Sequence, residues 1–166
     1  YLAKFACDGK IPAAGGRRDL NQAWVAKGNN HPKGVTFKLQ WAKPVSIAEV
    51  VYYGRTGFDW RENWKDYEVY LDDAKVRVAK GKLLCGHGPQ RIKLAKPQKA
   101  ASLTLLFKSS HGGPNPGASE IQIYSTTPSD KLLGKFSKPR HTSPGQVSVP
   151  EIEGSTELAA KLKSGK

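Results

Sequence analysis

Few side-chain groupings in this 166-residue sequence can do chemistry, and those few favour binding over bond-making. The richest lies in residues 55–64, where Arg55, Phe58, Trp60, Arg61 and Trp64 bring guanidinium donors and aromatic faces together just before a strand-like run. Rings of this kind stack on apolar faces while guanidinium groups fork onto oxygen acceptors, which is the chemistry of a contact surface. A second grouping is built on oxygen. Asp8-Gly9 sets a carboxylate on a tight turn and Glu120 opens a later strand-like segment, and hard cations such as calcium take carboxylate and carbonyl oxygens. Taken alone, Asp-Gly is also an ordinary turn and Glu120 an ordinary strand residue.

Catalytic groupings are scarce. Cys85 and His87 are two residues apart, but on a glycine-flanked loop that fixes no nucleophile–base geometry. His31, His87, His111 and His141 fall in turn-like segments without zinc spacing, and neither cysteine sits in a Cys-x-x-Cys pair. There is no Gly-x-Ser-x-Gly elbow, His-Glu-x-x-His helix, phosphate loop or dinucleotide fingerprint. The chain by itself is therefore expected not to be an enzyme.

Charge and composition narrow the partners. With 27 Lys and Arg against 14 Asp and Glu, the net charge is +13, which points to nucleic acid, an acidic polysaccharide, an anionic membrane, or simply a basic solvated surface. The excess is spread along the chain, and neither a basic helix nor an aromatic RNA-binding signature is present, which argues against nucleic acid. No apolar run approaches the roughly 18 residues of a membrane span, and no leader opens the chain, so a soluble protein is expected. A start at Tyr1 fits a processed or excised fragment. Cys7 and Cys85 allow at most one disulfide, and the sequence leaves open whether they bridge or remain free thiols.

The elements that must position these groups read as β-structure. Residues 1–33 carry successive turn signals and are expected to be mostly loop, anchored by Leu2, Phe5 and Trp24. Residues 35–41 alternate strictly and close at Lys43-Pro44. Residues 46–55 are too apolar for simple alternation, as in a strand covered on both sides or carrying a bulge. Tyr67, Val69 and Leu71 share one face of the next strand, with Glu68 and Tyr70 on the other. A turn at residues 72–75 leads into a strand at 76–79; short strands follow at 91–94, ended by Pro97, at 101–107, and at 120–124. Many short strands and no convincing helix before residue 124 predict an all-β sandwich. After Tyr124 the composition shifts to Ser, Thr, Pro and Lys, so residues 125–166 read as a linker or tail. There Leu132, Leu133 and Phe136 are able to pack back, and residues 155–163 offer one short helix.

Taken together, the order of these pieces resembles the discoidin-like domains, that is, coagulation factor type C domains and family 32 carbohydrate-binding modules. The resemblance rests on Ala6-Cys7-Asp8-Gly9, Trp24, the strand at 35–41, the strand at 50–55, Lys65-Asp66-Tyr67-Glu68-Val69-Tyr70, residues 90–94 and 101–107, and the closing Ala118-Ser119-Glu120-Ile121-Gln122-Ile123-Tyr124. It covers residues 1–124. It implies a galactose-binding-like jelly-roll β-sandwich of about eight antiparallel strands. It also implies a structural calcium held by the carboxylates of Asp8 and Glu120 and the main-chain carbonyls of Phe5 and Ser119. Residues 10–23 are longer and more basic than the family's usual turn there. Ligand binding at one rim is implied for Arg55, Phe58, Trp60, Trp64, His87 and Asn115, with Trp64 the one most expected to be core instead.

The first functional expectation is thus a non-catalytic carbohydrate-binding or adhesion module of a larger extracellular, periplasmic or cell-surface protein. The second is a structural or protein-interaction domain of a multidomain or multi-subunit enzyme, with the tail lying along a partner. A third is charge-driven binding to anionic glycans or phospholipid.

Overall fold

The computed structural model describes residues 1–13, 19–28, 31–56 and 60–136. Two antiparallel strands of 19 residues each, β2 (Val35–Tyr53) and β5 (Pro89–Phe107), organise the rest. With β3 (Asp66–Leu71), β4 (Ala79–Lys82) and β7 (Glu120–Tyr124) they form a five-stranded sheet of order β4-β3-β5-β2-β7. Strands β1 (Trp24–Val25) and β6 (Gly117–Ala118) pair separately.

Sequence pattern predicts that Lys43-Pro44 and Pro97 end strands, whereas the chain runs through both. The β2–β5 register jumps from Gln40↔Ser102 to Val45↔Ala100, and again from Ile47↔Gln98 to Glu49↔Lys93. Residues 41–44 and 94–97 therefore stand outside the ladder as bulges, where a proline is tolerated because no N–H is asked of it. The bulges bend both strands, so that one half of the sheet faces the other. Phe37, Leu103, Leu105 and Phe107 from one half meet Val50, Tyr52, Ile92 and Ile121 from the other in a single core, with the Tyr52 and Phe107 rings 5.9 Å apart. Each such fully buried aliphatic or aromatic side chain contributes roughly 1.5–3 kcal/mol. The expected all-β sandwich is what the chain forms.

Strand β3 follows its alternation: Val69 and Leu71 are buried, while Tyr70 donates to Glu68 on the outer face at 2.7 Å. Asp72 and Asp73 both have positive φ, and the Ala74 N–H donates to the Leu71 carbonyl at 2.9 Å, the signature of a type I′ turn. The strand expected at 76–79 is displaced; β4 begins at Ala79, and Val76 is 74% exposed. Among the N-terminal anchors, Trp24 is buried against Phe37 at 4.9 Å, but Leu2 is exposed. Turning strongly outward, it leaves Ala6 as the buried side chain of the 3-10 turn Ala3–Ala6.

The apolar run at the end of β2 is covered on both sides. Val50 and Tyr52 face the core; Val51 and Tyr53 face a second cluster with Leu133, Ile11 and Tyr124. Leu133 arrives on the short helix α1 (Asp130–Leu133), capped by the Ser129 side chain, which accepts from the Leu132 N–H at 3.3 Å. Arg91 clasps this segment: its guanidinium pairs with the buried Glu49 and with Asp130, and donates to the Pro128 carbonyl at 2.9 Å. Packing thus continues past Tyr124 through Phe136, whose Cα would lie 2.7 Å from a Cβ at Gly88. The helix expected at 155–163 falls outside the described residues. Cys7 and Cys85 are not joined in a disulfide; the first is exposed and the second half-buried.

Candidate functional site

Arg55 leaves the end of β2 and is buried, with 6% of its surface exposed. Its Nε and Nη2 donate to the two oxygens of Asp19 at 2.8 and 2.6 Å. Its Nη1 donates to Glu62 Oε2 at 2.5 Å and to the Asn115 carbonyl at 2.8 Å, and the Tyr1 ring lies 5.1 Å from the guanidinium carbon. Burial works to lower the Arg55 pKa, but hydrogen bonds and charge from Asp19, with the charge of Glu62, more than offset it and raise the value. The residue expected to reach a ligand is instead a knot that ties three chain segments together.

Asn63 ties a second knot. Its Oδ1 accepts from the Arg55 N–H at 2.5 Å, and its Nδ2 donates to the carbonyls of Trp60 at 3.0 Å and Gly86 at 3.4 Å. The Gly113 N–H donates to the Arg61 carbonyl at 2.9 Å; a Cβ at Gly113 would stand 2.5 Å from the Glu62 nitrogen, so only glycine allows this approach. Residues 60–64, 83–88 and 109–117 are thereby locked into one rigid rim, the kind of scaffold on which loops carry recognition.

Two expected ligand residues are corrected. Trp64 is 1% exposed and stacks on Phe107 at 5.0 Å and 12°, so it has no face for a ligand. His87 is likewise buried; its Nδ1 meets the Gly54 carbonyl at 3.0 Å, and burial lowers its pKa. Cys85 donates instead to the Trp60 carbonyl at 3.3 Å, so Cys85 and His87 form no nucleophile–base pair. Phe58 lies outside the described residues. Trp60 and Asn115 remain partly exposed on the rim, with Asn115 Nδ2 donating to Glu62 Oε1 at 3.3 Å. Sequence reasoning missed Asp19, Glu62 and Asn63. The available signal was that a buried arginine requires acids, and Glu62 stands inside the aromatic loop.

The oxygen grouping does come together. The Gly9 N–H donates to Glu120 Oε1 at 3.2 Å, joining the first loop to β7. Glu120 is 3% exposed, yet its Oε2, like Ser119 Oγ, has no hydrogen-bond partner among the described residues. Burial pushes the Glu120 carboxyl up to about 7, and the neighbouring charge of Asp8 adds to the rise, against lowering by the Gly9 and Asp8 backbone donors. An orphaned buried carboxylate oxygen beside a second carboxylate is a deficit that a hard divalent cation fills. Among the described residues no three His, Cys, Asp or Glu side chains gather, so a cation held here would have to draw its other ligands from main-chain carbonyls. The residues present fit calcium on those terms.

The sequence matches no family model, and no curated protein matches it. Solved structures do share its fold. It is similar to CpGH89CBM32-5 from Clostridium perfringens, solved in complex with GalNAc-β-1,3-galactose, at 22% identity and a TM-score of 0.59 over 74% of this chain and 83% of that one. The family 32 module of NanJ from C. perfringens, solved with galactose, matches at 15% identity and a TM-score of 0.59 over 73% and 82%. An F5/8 type C domain from Bacteroides fragilis matches at 17% identity and a TM-score of 0.58 over 75% and 80%. The architecture is the discoidin-like fold shared by type C domains and family 32 carbohydrate-binding modules.

Proposed function

We propose that this discoidin-like chain is a non-catalytic carbohydrate-binding module of a larger extracellular, periplasmic or surface protein, acting in adhesion or in holding that protein to glycan. The observation that carries this reading is the rim itself: the partly exposed Trp60 stands beside Glu62 and Asn115 on loops locked by the paired Arg55. The indole offers a face for the C–H side of a sugar ring, the Asn115 amide donates, and the Glu62 carboxylate accepts. Phe58 belongs to the same stretch of sequence and is proposed as a further stacking residue. The kinship in fold with binding modules supports the reading by analogy.

A structural calcium is part of the proposal. Asp8 and Glu120, with the carbonyls of Phe5 and Ser119, would hold it. It would supply positive charge that satisfies two buried or half-buried carboxylates and cross-links the first loop to β7. In this reading the cation steadies the fold and does not meet the sugar.

A second reading, an interaction domain within a multidomain enzyme, draws on the clasped segment at residues 125–136, which packs against the sandwich beyond its last strand.

A glycan array run at low and high salt on wild type, Trp60→Ala and Asn115→Ala tests the first reading. Selective, salt-tolerant binding that either substitution abolishes without lowering the melting temperature supports it. Binding untouched by both variants, or no binding at all, would move the interaction-domain reading ahead.

A further inference from the structure

The buried rim arginine is not a source of free positive charge. At the rim the buried guanidinium of Arg55 is neutralised by Asp19 and Glu62. Both ends of β2 and β5 lead into rim loops, so their bulged middles lie at the opposite end of the sandwich. The same tripeptide, Ala-Lys-Pro, forms part of each bulge: Ala42-Lys43-Pro44 on β2 and Ala95-Lys96-Pro97 on β5, all exposed. Each proline removes a ladder donor and fixes its own φ, so the bulge is stiff and the preceding lysine is held away from the sheet. Lys99 faces Ser46 across the short ladder between the bulges. Asp72 accepts from the backbone N–H groups of Ala101 and Ser102 at 2.7 and 2.9 Å, which brings the turn bearing Lys75 to the same corner.

We infer that this corner, with Lys43, Lys96, Lys99 and Lys75, is a second binding surface whose partner is an acidic polysaccharide. Among the described residues, none of these four lysine side chains has an ion-pair or hydrogen-bond partner. The acids nearby are already engaged: Asp72 by the two backbone donors, Asp73 by Lys38 at 2.7 Å, and Glu49 by Arg91. Unpaired lysines on a stiff frame are complementary to a chain of repeating anionic groups, and association releases that chain's counterions. The exposed neighbours of Lys43 and Lys96 are the small side chains of Ala42, Pro44, Ala95 and Pro97, with Ser46 and Gln98 partly exposed on the ladder between them. A membrane seat would present Trp, Phe or Leu there, whereas Trp41 packs against the core and Val76 is the exposed large hydrophobic of the adjoining turn. This inference does not rest on the rim reading, since it uses no rim residue.

The test uses the full chain and heparin as the polyanionic probe, titrated across a salt series. Wild type is expected to bind with affinity that falls steeply with salt. The variant Lys43→Gln, Lys96→Gln, Lys99→Gln is expected to bind about tenfold or more weakly at low salt, with the salt slope reduced by about one unit per lysine. A charge-matched control, Lys27→Gln, Lys33→Gln, Lys80→Gln, should keep most of the affinity, and Trp60→Ala all of it. Equal losses in the two triple variants would show that net charge alone acts and overturn the inference. Binding to phosphatidylserine vesicles without binding to heparin would overturn it in favour of a membrane, and absence of heparin binding by wild type would refute it outright. Melting curves of both variants confirm that the fold is retained.

Discussion

Arg55 and Asp19 meet as a two-pronged ion pair, Nε to Oδ2 at 2.8 Å and Nη2 to Oδ1 at 2.6 Å, with both side chains almost wholly out of solvent. Removing one partner leaves the other charge buried, which costs about 3–5 kcal/mol. Arg55→Ala and Asp19→Ala should each lower stability by this order in urea denaturation. Arg55→Lys should rescue little, because an ammonium cannot reproduce the fork. Loss of glycan binding by Arg55→Ala with unchanged stability would refute the clamp and return Arg55 to the ligand.

The Glu120 carboxyl makes the metal-free protein pH-sensitive. Its folded-state value of about 7 lies above the ordinary 4.5, so folding favours the protonated form. The corresponding stability is fully present below about 4.5 and is lost as pH rises towards and through about 7; at about 1.4 kcal/mol per unit the whole effect is at most on the order of 3 kcal/mol. Chelator-treated protein should therefore melt at lower temperature at alkaline than at mildly acidic pH. Calcium should raise the alkaline melting temperature, and Glu120→Gln should flatten both dependences. Identical melting curves with and without calcium at alkaline pH would exclude the cation.

Gly117 lies where the two small strands meet the rim. A Cβ there would collide with the Trp24 carbonyl oxygen, while the Gly117 carbonyl accepts from the buried Tyr52 hydroxyl at 2.6 Å. Backbone atoms cannot yield as a flexible side chain can, so Gly117→Ala should destabilise by more than a typical substitution, roughly 2 kcal/mol or more. Gly112→Ala is a useful contrast: nothing lies within 4 Å of a Cβ there, so only the strain of its positive φ is charged. Thermal denaturation of the two variants side by side checks the difference.

The clasped segment should matter to the sandwich. Leu133 is 3% exposed, and Leu133→Ala should cost about 2–5 kcal/mol through the cavity it leaves. A chain ending after Tyr124 should be less stable than one ending after Phe136, as it loses Leu133 and the Asp130 partner of Arg91. Equal melting temperatures for the two truncations would show that residues 125–136 are a passive tail.

The strands, the alternating faces of β3 and the double-sided burial of Val50 to Tyr53 could be read from the sequence because period-2 patterning is local and each residue's face follows from its neighbours. The order of motifs from Asp8-Gly9 to Glu120 likewise identified the fold, and with it the meeting of the first loop and β7. What the sequence could not decide were relations between distant residues. Whether a proline stops a strand or sits in a bulge depends on whether the partner strand asks for a donor there, and only the pairing of β2 with β5 answered that at Pro44 and Pro97. Whether Arg55, Trp64 and His87 face a ligand or the interior depends on what packs over them: Asp19 and Glu62 claimed the first, Phe107 the second, and the Gly54 carbonyl met the third. Leu133 gave a similar lesson, since its burial needs Val51 and Tyr53 to be presented on an outer sheet face. Side-chain type sets which contacts are available, but the tertiary structure decides which are used, because burying charged and aromatic groups is favourable only where the partners that satisfy them are already in place.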